Sequence, residues 1–192
     1  MLQAASRRNQ CPKCPAGPAG FIKLGITNGG AVIRHAEVSD AQAIASIYNY
    51  YIANTTITFE EQFVSAEQMA ERILEVHAAS LPWLVAEEFG QVIGYAYASK
   101  WRARSAYRFS VETTVYLQNE VVSRGVGSQL YEVLFSALKE KGVHVAIGGI
   151  ALPNKASASL HEKFGMKKIA HFEQVGFKFE KWVDVGYWQA VL

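Results

Sequence analysis

Cysteine is nearly absent: the 192 residues contain two, Cys11 and Cys14, both before residue 31. A body without cysteine excludes a disulfide scaffold and makes a reducing cytoplasm the expected location. The pair forms C-x-x-C, a spacing suited to redox chemistry or half a zinc site, but no second Cys pair or clustered His pair completes it, so no metal is expected. An excess of one charge is missing as well. Nineteen basic residues face 17 acidic ones, for a net charge of +2, which lacks the basic footprint of a nucleic-acid binder or a polybasic membrane anchor. No apolar run approaches the roughly 20 residues of a membrane-spanning helix. There are no internal repeats. The expected partner is a small molecule, with no nucleic acid and no membrane.

Half of the residues are apolar, enough for one full-sized core. Residues 1–30 are rich in Pro and Gly, show no continuous apolar stretch of the signal-peptide kind, and read as a flexible N-terminal extension. Residues 31–192 read as one domain. "AVIRHAEV" alternates like a strand, and "SDAQAIASIYNYYI" begins with Ser39 and Asp40 as capping candidates for a helix. "NTTITFEEQFVS" is an excursion, after which Ser65 caps "AEQMAERILEVHAA" as a second helix. "PWLVAEEFGQVIGYAYASKWR" makes two strands joined at "EFGQ" with Gly90 in the turn, and "FSVETTVYLQ" is a third. A helix follows from Gly125 to Gly142. "VHVAIGGIAL" then reads as a buried parallel strand, and "NKASASLHEKFG" as a short helix capped by Asn154 and stopped at Gly165. The C-terminal segment supplies one or two more strands with a turn near "GFKFEKW". The fold class is α/β.

"NEVVSRGVGSQLYEVLFSALKEKG" runs from a polar turn through two glycines into an amphipathic helix. Its first amides lack helical partners and carry the positive end of the helix dipole, so an anion is the natural occupant. Gly125 and Gly127 let the backbone curl closely around that anion, and Arg124 adds charge. A pyrophosphate fits. R-G-x-G alone is a weak signal; its place between "VETTVYL" and "VHVAIGGIALPNKASASLHEKFGM" strengthens it.

This succession resembles the GCN5-related N-acetyltransferase (GNAT) superfamily, and within it the phosphinothricin and methionine sulfoximine acetyltransferase group, over Ile33 to about Gln189. "VSRGVG" matches the Q/R-x-x-G-x-G/A loop except that Val122 stands at the Gln/Arg position. The resemblance implies a mixed central sheet splayed between its central parallel strands, with helices on both faces. It implies acetyl-CoA as co-substrate, bound by Val115, Tyr116, Leu117, Arg124, Gly125, Val126, Gly127, Ser128 and Asn154. It also implies Glu112 as general base for the ammonium of a small amine, with His161 orienting that base or returning a proton to the leaving sulfur. Substrate contacts are expected from Phe59, Glu60, Arg102, Arg104 and Tyr107, the arginines meeting a carboxylate or tetrahedral anionic head. The group also implies a homodimer.

The expected reaction is therefore direct transfer of an acetyl group to the α-amine of an analogue such as phosphinothricin, methionine sulfoximine or methionine sulfone. No covalent enzyme intermediate is expected, because the body has no cysteine nucleophile. Acetylation of another amine, such as a different antimetabolite or a protein N-terminus, stays open on sequence grounds. So does a non-catalytic acyl-CoA sensor.

Overall fold

The computed structural model describes residues 31–121 and 124–192; the expectations attached to Cys11, Cys14, the N-terminal extension and Val122 lie outside the described residues. Alternating apolar residues build β1 (Val32–His35), and helical spacing builds α1 (Ala41–Asn54) and α2 (Ala66–Ala78). A meander follows, β2 (Trp83–Glu88), β3 (Gln91–Lys100) and β4 (Ser110–Leu117). The helix α3 (Val126–Glu140) crosses over to β5 (Val145–Leu152), and α4 (Lys155–Lys163) leads into the hairpin of β6 (Lys167–Lys178) and β7 (Lys181–Val191).

Local signals read from sequence explain most boundaries. Ser65 caps α2 by accepting from the Gln68 amide at 3.2 Å, while the Gln68 side chain accepts from the Ser65 amide at 2.9 Å, a reciprocal capping box. The β2–β3 turn puts Phe89 and Gly90 at φ 51° and 77°, the left-handed pair that a two-residue hairpin requires. One cap differs from expectation. Asp40 occupies the α1 cap position but makes no side-chain cap bond. Its carboxylate is held instead by Arg34 at 2.7 and 2.8 Å and by the Glu37 amide at 2.8 Å, so it closes the short turn before the helix.

The seven strands lie in the order β1-β2-β3-β4-β5-β7-β6. All neighbours are antiparallel except β4 and β5. Helices cover both faces. On one, α1 and α2 bury Ile44, Ile47, Ile52, Met69 and Ile73 against Trp83, Val85 and Tyr95. On the other, α3 buries Leu130, Tyr131, Leu134 and Leu138 against Leu84, Ala96, Val111 and Ala146.

The feature that positions the site is a short parallel pairing. Strands β4 and β5 pair only at Ser110 with Val145, Val111 with Ala146, and Glu112 with Ile147. Beyond those three pairs β4 stays on β3 as far as Leu117 and β5 stays on β7 as far as Leu152. The sheet therefore opens between them, as the resemblance implied, and the β5-facing backbone groups beyond Glu112 are left without a strand partner. Among the described residues, no helix is long and apolar enough to cross a membrane.

Leu134 has no exposure, whereas Leu74 is 53% exposed. Leu134→Ala is expected to cost about 2–5 kcal/mol, and Leu74→Ala no more than about 0.5 kcal/mol, read from urea unfolding midpoints.

Candidate active site

Strand alternation places Glu112, Thr114 and Tyr116 on the α1/α2 face of β4, and Val111, Thr113, Val115 and Leu117 on the α3 face. The same rule splits the Gly148–Gly149 pair of β5. A Cβ on Gly148 would overlap the His161 imidazole, and one on Gly149 would press on Tyr187 at 3.2 Å and Glu112 Oε1 at 3.3 Å. The two glycines thus make room on opposite faces of one strand, for His161 on one side and Glu112 on the other.

Three adjoining cavities meet at this opening. The first, about 550 Å³, runs from the α3 N-terminus along the end of β4 to α4, and includes Leu117, Gly127, Asn154 and Lys163 in its wall. The second, about 440 Å³, lies on the other side and is walled by Phe59, Phe172, Val175, Val185 and Tyr187, with Glu112 at its base. The third, about 230 Å³, joins them through the gap, bounded by Glu112, Thr113, Tyr131, Asn154 and His161. Ile57 borders all three.

The first cavity is suited to a long ligand with a phosphate at one end. Gly125 caps α3 at φ 82°, a conformation glycine adopts without penalty. The first amides of a helix lack partners within the helix and carry the positive end of its dipole, which suits this end of the cavity to an anion. Gly125, Gly127, Ser128, Val115, Tyr116, Leu117 and Asn154 all line this cavity. The Val126 side chain points into the core instead, at 4% exposure. Arg124 is exposed and forks onto Glu88 at 2.7 and 3.1 Å. Asn154 caps α4 through its side-chain oxygen, which accepts from the Ser157 amide at 3.0 Å; its NH₂ finds no acceptor among the described residues.

Glu112 makes no ion pair and no side-chain hydrogen bond among the described residues. Burial pushes its pKa up, since a carboxylate loses hydration there without a compensating donor. His161 is 3% exposed and differently engaged. Its Nδ1 lies 2.7 Å from the Ser157 carbonyl and its Nε2 lies 3.1 Å from the Tyr131 hydroxyl. A carbonyl only accepts, so Nδ1 carries the proton and Nε2 accepts from Tyr131. Burial pushes the imidazole pKa down, and the ring is neutral. His161 therefore orients Tyr131, on the opposite face of the sheet from Glu112, and makes no bond to Glu112.

The expected substrate contacts separate into two groups. Phe59 lines both the second and third cavities. Glu60 borders none of the three; Arg72 forks onto it at 2.9 and 3.0 Å and the Tyr48 hydroxyl donates to it at 3.0 Å. Arg102, Arg104 and Tyr107 are exposed in the β3–β4 connection. None of the three lines a cavity; Arg102 lies 5.3 Å from the centre of the Trp101 ring, which packs edge-on against Tyr187 at 5.6 Å. Sequence reasoning missed Ile57, Tyr131, Phe172, Val175 and Tyr187. The glycine pair in "AIGGIAL" was the available signal, because glycine inside a strand marks close approach by another group. Among the described residues, no group of three or more His, Cys, Asp and Glu is placed to hold a metal ion.

Comparison with known proteins agrees with this geometry. The family model described as "Acetyltransferase (GNAT) domain" matches residues 33–186. The chain is 37% identical over 164 residues to the phosphinothricin N-acetyltransferase of Streptomyces coelicolor, covering 83% of this chain and 95% of the relative. It is 33% identical over 160 residues to the L-methionine sulfoximine/L-methionine sulfone acetyltransferase of Salmonella typhimurium, covering 83% and 94%. A phosphinothricin acetyltransferase from Sinorhizobium meliloti, solved in complex with acetyl-CoA, superposes with a TM-score of 0.82 at 35% identity, over 85% of this chain and 89% of that one. A sheet opened at its parallel pair beside a glycine-capped helix is the architecture of an acyl-CoA-dependent transferase. The chain belongs to the GNAT acetyltransferase family and is an acetyl-CoA-dependent N-acetyltransferase.

Gly148→Ala is expected to lower stability by about 1–3 kcal/mol, because its Cβ competes with His161 for one space. In a His161→Ala background most of that loss should vanish, a coupling that a double-mutant cycle of denaturation measurements would read.

Proposed function

We propose that this enzyme transfers the acetyl group of acetyl-CoA directly to the α-amine of a small amino-acid analogue of the phosphinothricin, methionine sulfoximine or methionine sulfone type, with Glu112 as general base. The observation that carries the reading is the position of Glu112: an unpaired, half-buried carboxylate at the junction of a cavity suited to acetyl-CoA and a separate cavity suited to the amine. An incoming ammonium must lose a proton before its nitrogen can attack a thioester. A carboxylate whose pKa is raised by burial is a stronger base than an exposed one, and it meets the amine without first giving up an ion-pair partner.

In this reading the thioester lies in the gap beside residues 113–117, where unpaired backbone groups of β4 are available to polarise its oxygen. Asn154 donates to the pantetheine arm, and the α3 amides with Ser128 hold the pyrophosphate. Arg124 gives up Glu88 for the phosphate, an exchange that an exposed ion pair permits at small cost. On the far side of the gap the Tyr131 hydroxyl, which rests as donor to His161 Nε2, turns its single O–H from the imidazole to the departing sulfur. It does so without ionising, since burial raises its pKa well above that of a thiol. The amine cavity is apolar apart from Glu112 and Tyr187. The body of the substrate packs there, and its anionic head projects to the rim toward Arg102, Arg104 and Tyr107.

A panel assay of CoA release with these analogues, ordinary amino acids and a peptide tests the substrate class; turnover confined to the peptide would defeat it. Glu112→Gln keeps the side chain's size but not its basicity. It is expected to lower kcat/KM about 10²- to 10⁴-fold near pH 7 and to recover as pH approaches the pKa of the amine. The base must be deprotonated and its folded-state pKa is raised. Wild-type kcat/KM should therefore fall on acidification from a pH above the ordinary glutamate value of about 4.3. Wild-type activity in Glu112→Gln at pH 7 would remove Glu112 from the role.

The proposal includes a homodimer. The β6–β7 hairpin presents Phe172, Val175, Phe177 and Trp182 to solvent, at 49, 59, 53 and 63% exposure, an apolar surface of the kind that subunit contacts cover. A monomer mass by light scattering at micromolar concentration would remove this part.

A further inference from the structure

One buried charge has no part in the chemistry above. Lys178, at the end of β6, is 2% exposed. Its ammonium donates to the Thr58 carbonyl at 2.8 Å and lies 5.1 Å from the centre of the Phe179 ring. Lysine is rarely buried so fully, because removing an ammonium from water is costly unless it is well bonded.

Thr58 belongs to the segment 55–65 that links α1 to α2. Its neighbours Ile57 and Phe59 form one wall of the amine cavity, while Phe172, Val175, Val185 and Tyr187 of the β6–β7 hairpin form the wall opposite. The Lys178 bond ties one wall to the other. A second junction lies beside it: the Phe59 ring fills the space that a Cβ on Gly176 would occupy. From the other side α1 and α2 hold the same segment. The Thr58 hydroxyl lies 2.7 Å from the Tyr48 hydroxyl, Arg72 forks onto Glu60, and the Asn49 side chain both donates to and accepts from the Val64 backbone at 2.9 Å. Without Lys178 these anchors remain, but they fasten the segment to the helices and not to the hairpin. The hairpin end itself is strained, with Phe179 and Glu180 at φ 51° and 59°, a conformation that non-glycine residues adopt only when their surroundings impose it.

We propose that Lys178 is a positioning residue for the acceptor amine: by pinning Thr58 to the hairpin it sets the width of the amine cavity and holds Ile57 and Phe59 over the substrate beside Glu112. The inference rests on the assignment of that cavity to the amine. A backbone carbonyl is the acceptor, so the pin depends on the length and charge of the lysine and not on a second side chain. The first cavity shares Ile57 but neither Thr58 nor Phe59, so the effect falls on the amine and not on acetyl-CoA.

Lys178→Met keeps the long apolar stem and removes the donor. With the amine that the wild type acetylates fastest, KM for that amine should rise about tenfold, while KM for acetyl-CoA stays within about twofold. Hydrogen exchange of the amides of residues 56–60 should quicken at least about tenfold with those of α3 unchanged, as local release predicts. Gly176→Ala displaces Phe59 from its seat and should give the same split, and the double variant should fall short of additivity. If Lys178→Met does not fold, Gly176→Ala decides by the same two readouts. Unchanged exchange at residues 56–60, or a parallel rise in KM for both substrates, overturns the proposal. Failure of the phosphinothricin-type panel removes only the substrate class, and the exchange measurement still decides on Lys178.

Discussion

Everything in the site depends on the ending of one parallel strand pair after three residues. Strands β4 and β5 begin together at Ser110 and Val145 and separate after Glu112 and Ile147. Each is kept straight by an antiparallel neighbour on its outer side, so neither bends back to close the gap. The cost is a stretch of interior backbone without strand partners, which a stable fold tolerates only where a ligand, water or side chains satisfy it. Tyr51 meets part of that demand by donating to the Leu117 carbonyl at 2.7 Å. In the proposed function the rest of the opening is the reaction site, with acetyl-CoA in the first cavity and the amine in the second.

The two titratable groups at the gap differ because their surroundings differ. Glu112 has lost water and gained no partner, which raises its proton affinity; His161 has lost water and gained two partners that fix it as a neutral ring. Adjacent glycines on β5 admit one group on each face. Substituting either glycine would press on one of these groups, so the sequence "GG" encodes the placement of Glu112 and His161 on opposite faces of β5.

The order of elements was legible in the sequence because it rests on local signals: the capping box at Ser65, the turn at Phe89 and Gly90, the glycine at the start of α3, and the apolar run of β5. The part of the first cavity at the start of α3 was legible for the same reason, since Gly125, Gly127 and Ser128 lie within four successive positions. The second cavity was legible only in Phe59 and Glu112. It is assembled from Phe59 in a segment without periodicity, Glu112, and hairpin residues more than 50 positions later in the chain. Its apolar members read in sequence as ordinary core or surface. Charged residues were harder still, because spacing does not reveal which distant partner a side chain finds. Arg124 meets Glu88, and Glu60 meets Arg72 and Tyr48. The cap bond expected of Asp40 is not made because of the same kind of competition, with Arg34 taking the carboxylate.

In the proposed mechanism the amine arrives on the Glu112 face of the sheet and meets the thioester through the gap. A crystal structure of the protein with CoA and an N-acetylated product tests this most directly. The expected result is the product nitrogen within hydrogen-bond reach of the Glu112 carboxylate, directly or through one water, and the CoA sulfur in the gap near Tyr131. A product nitrogen on the His161 face, or a CoA chain that bypasses residues 113–117, would contradict it.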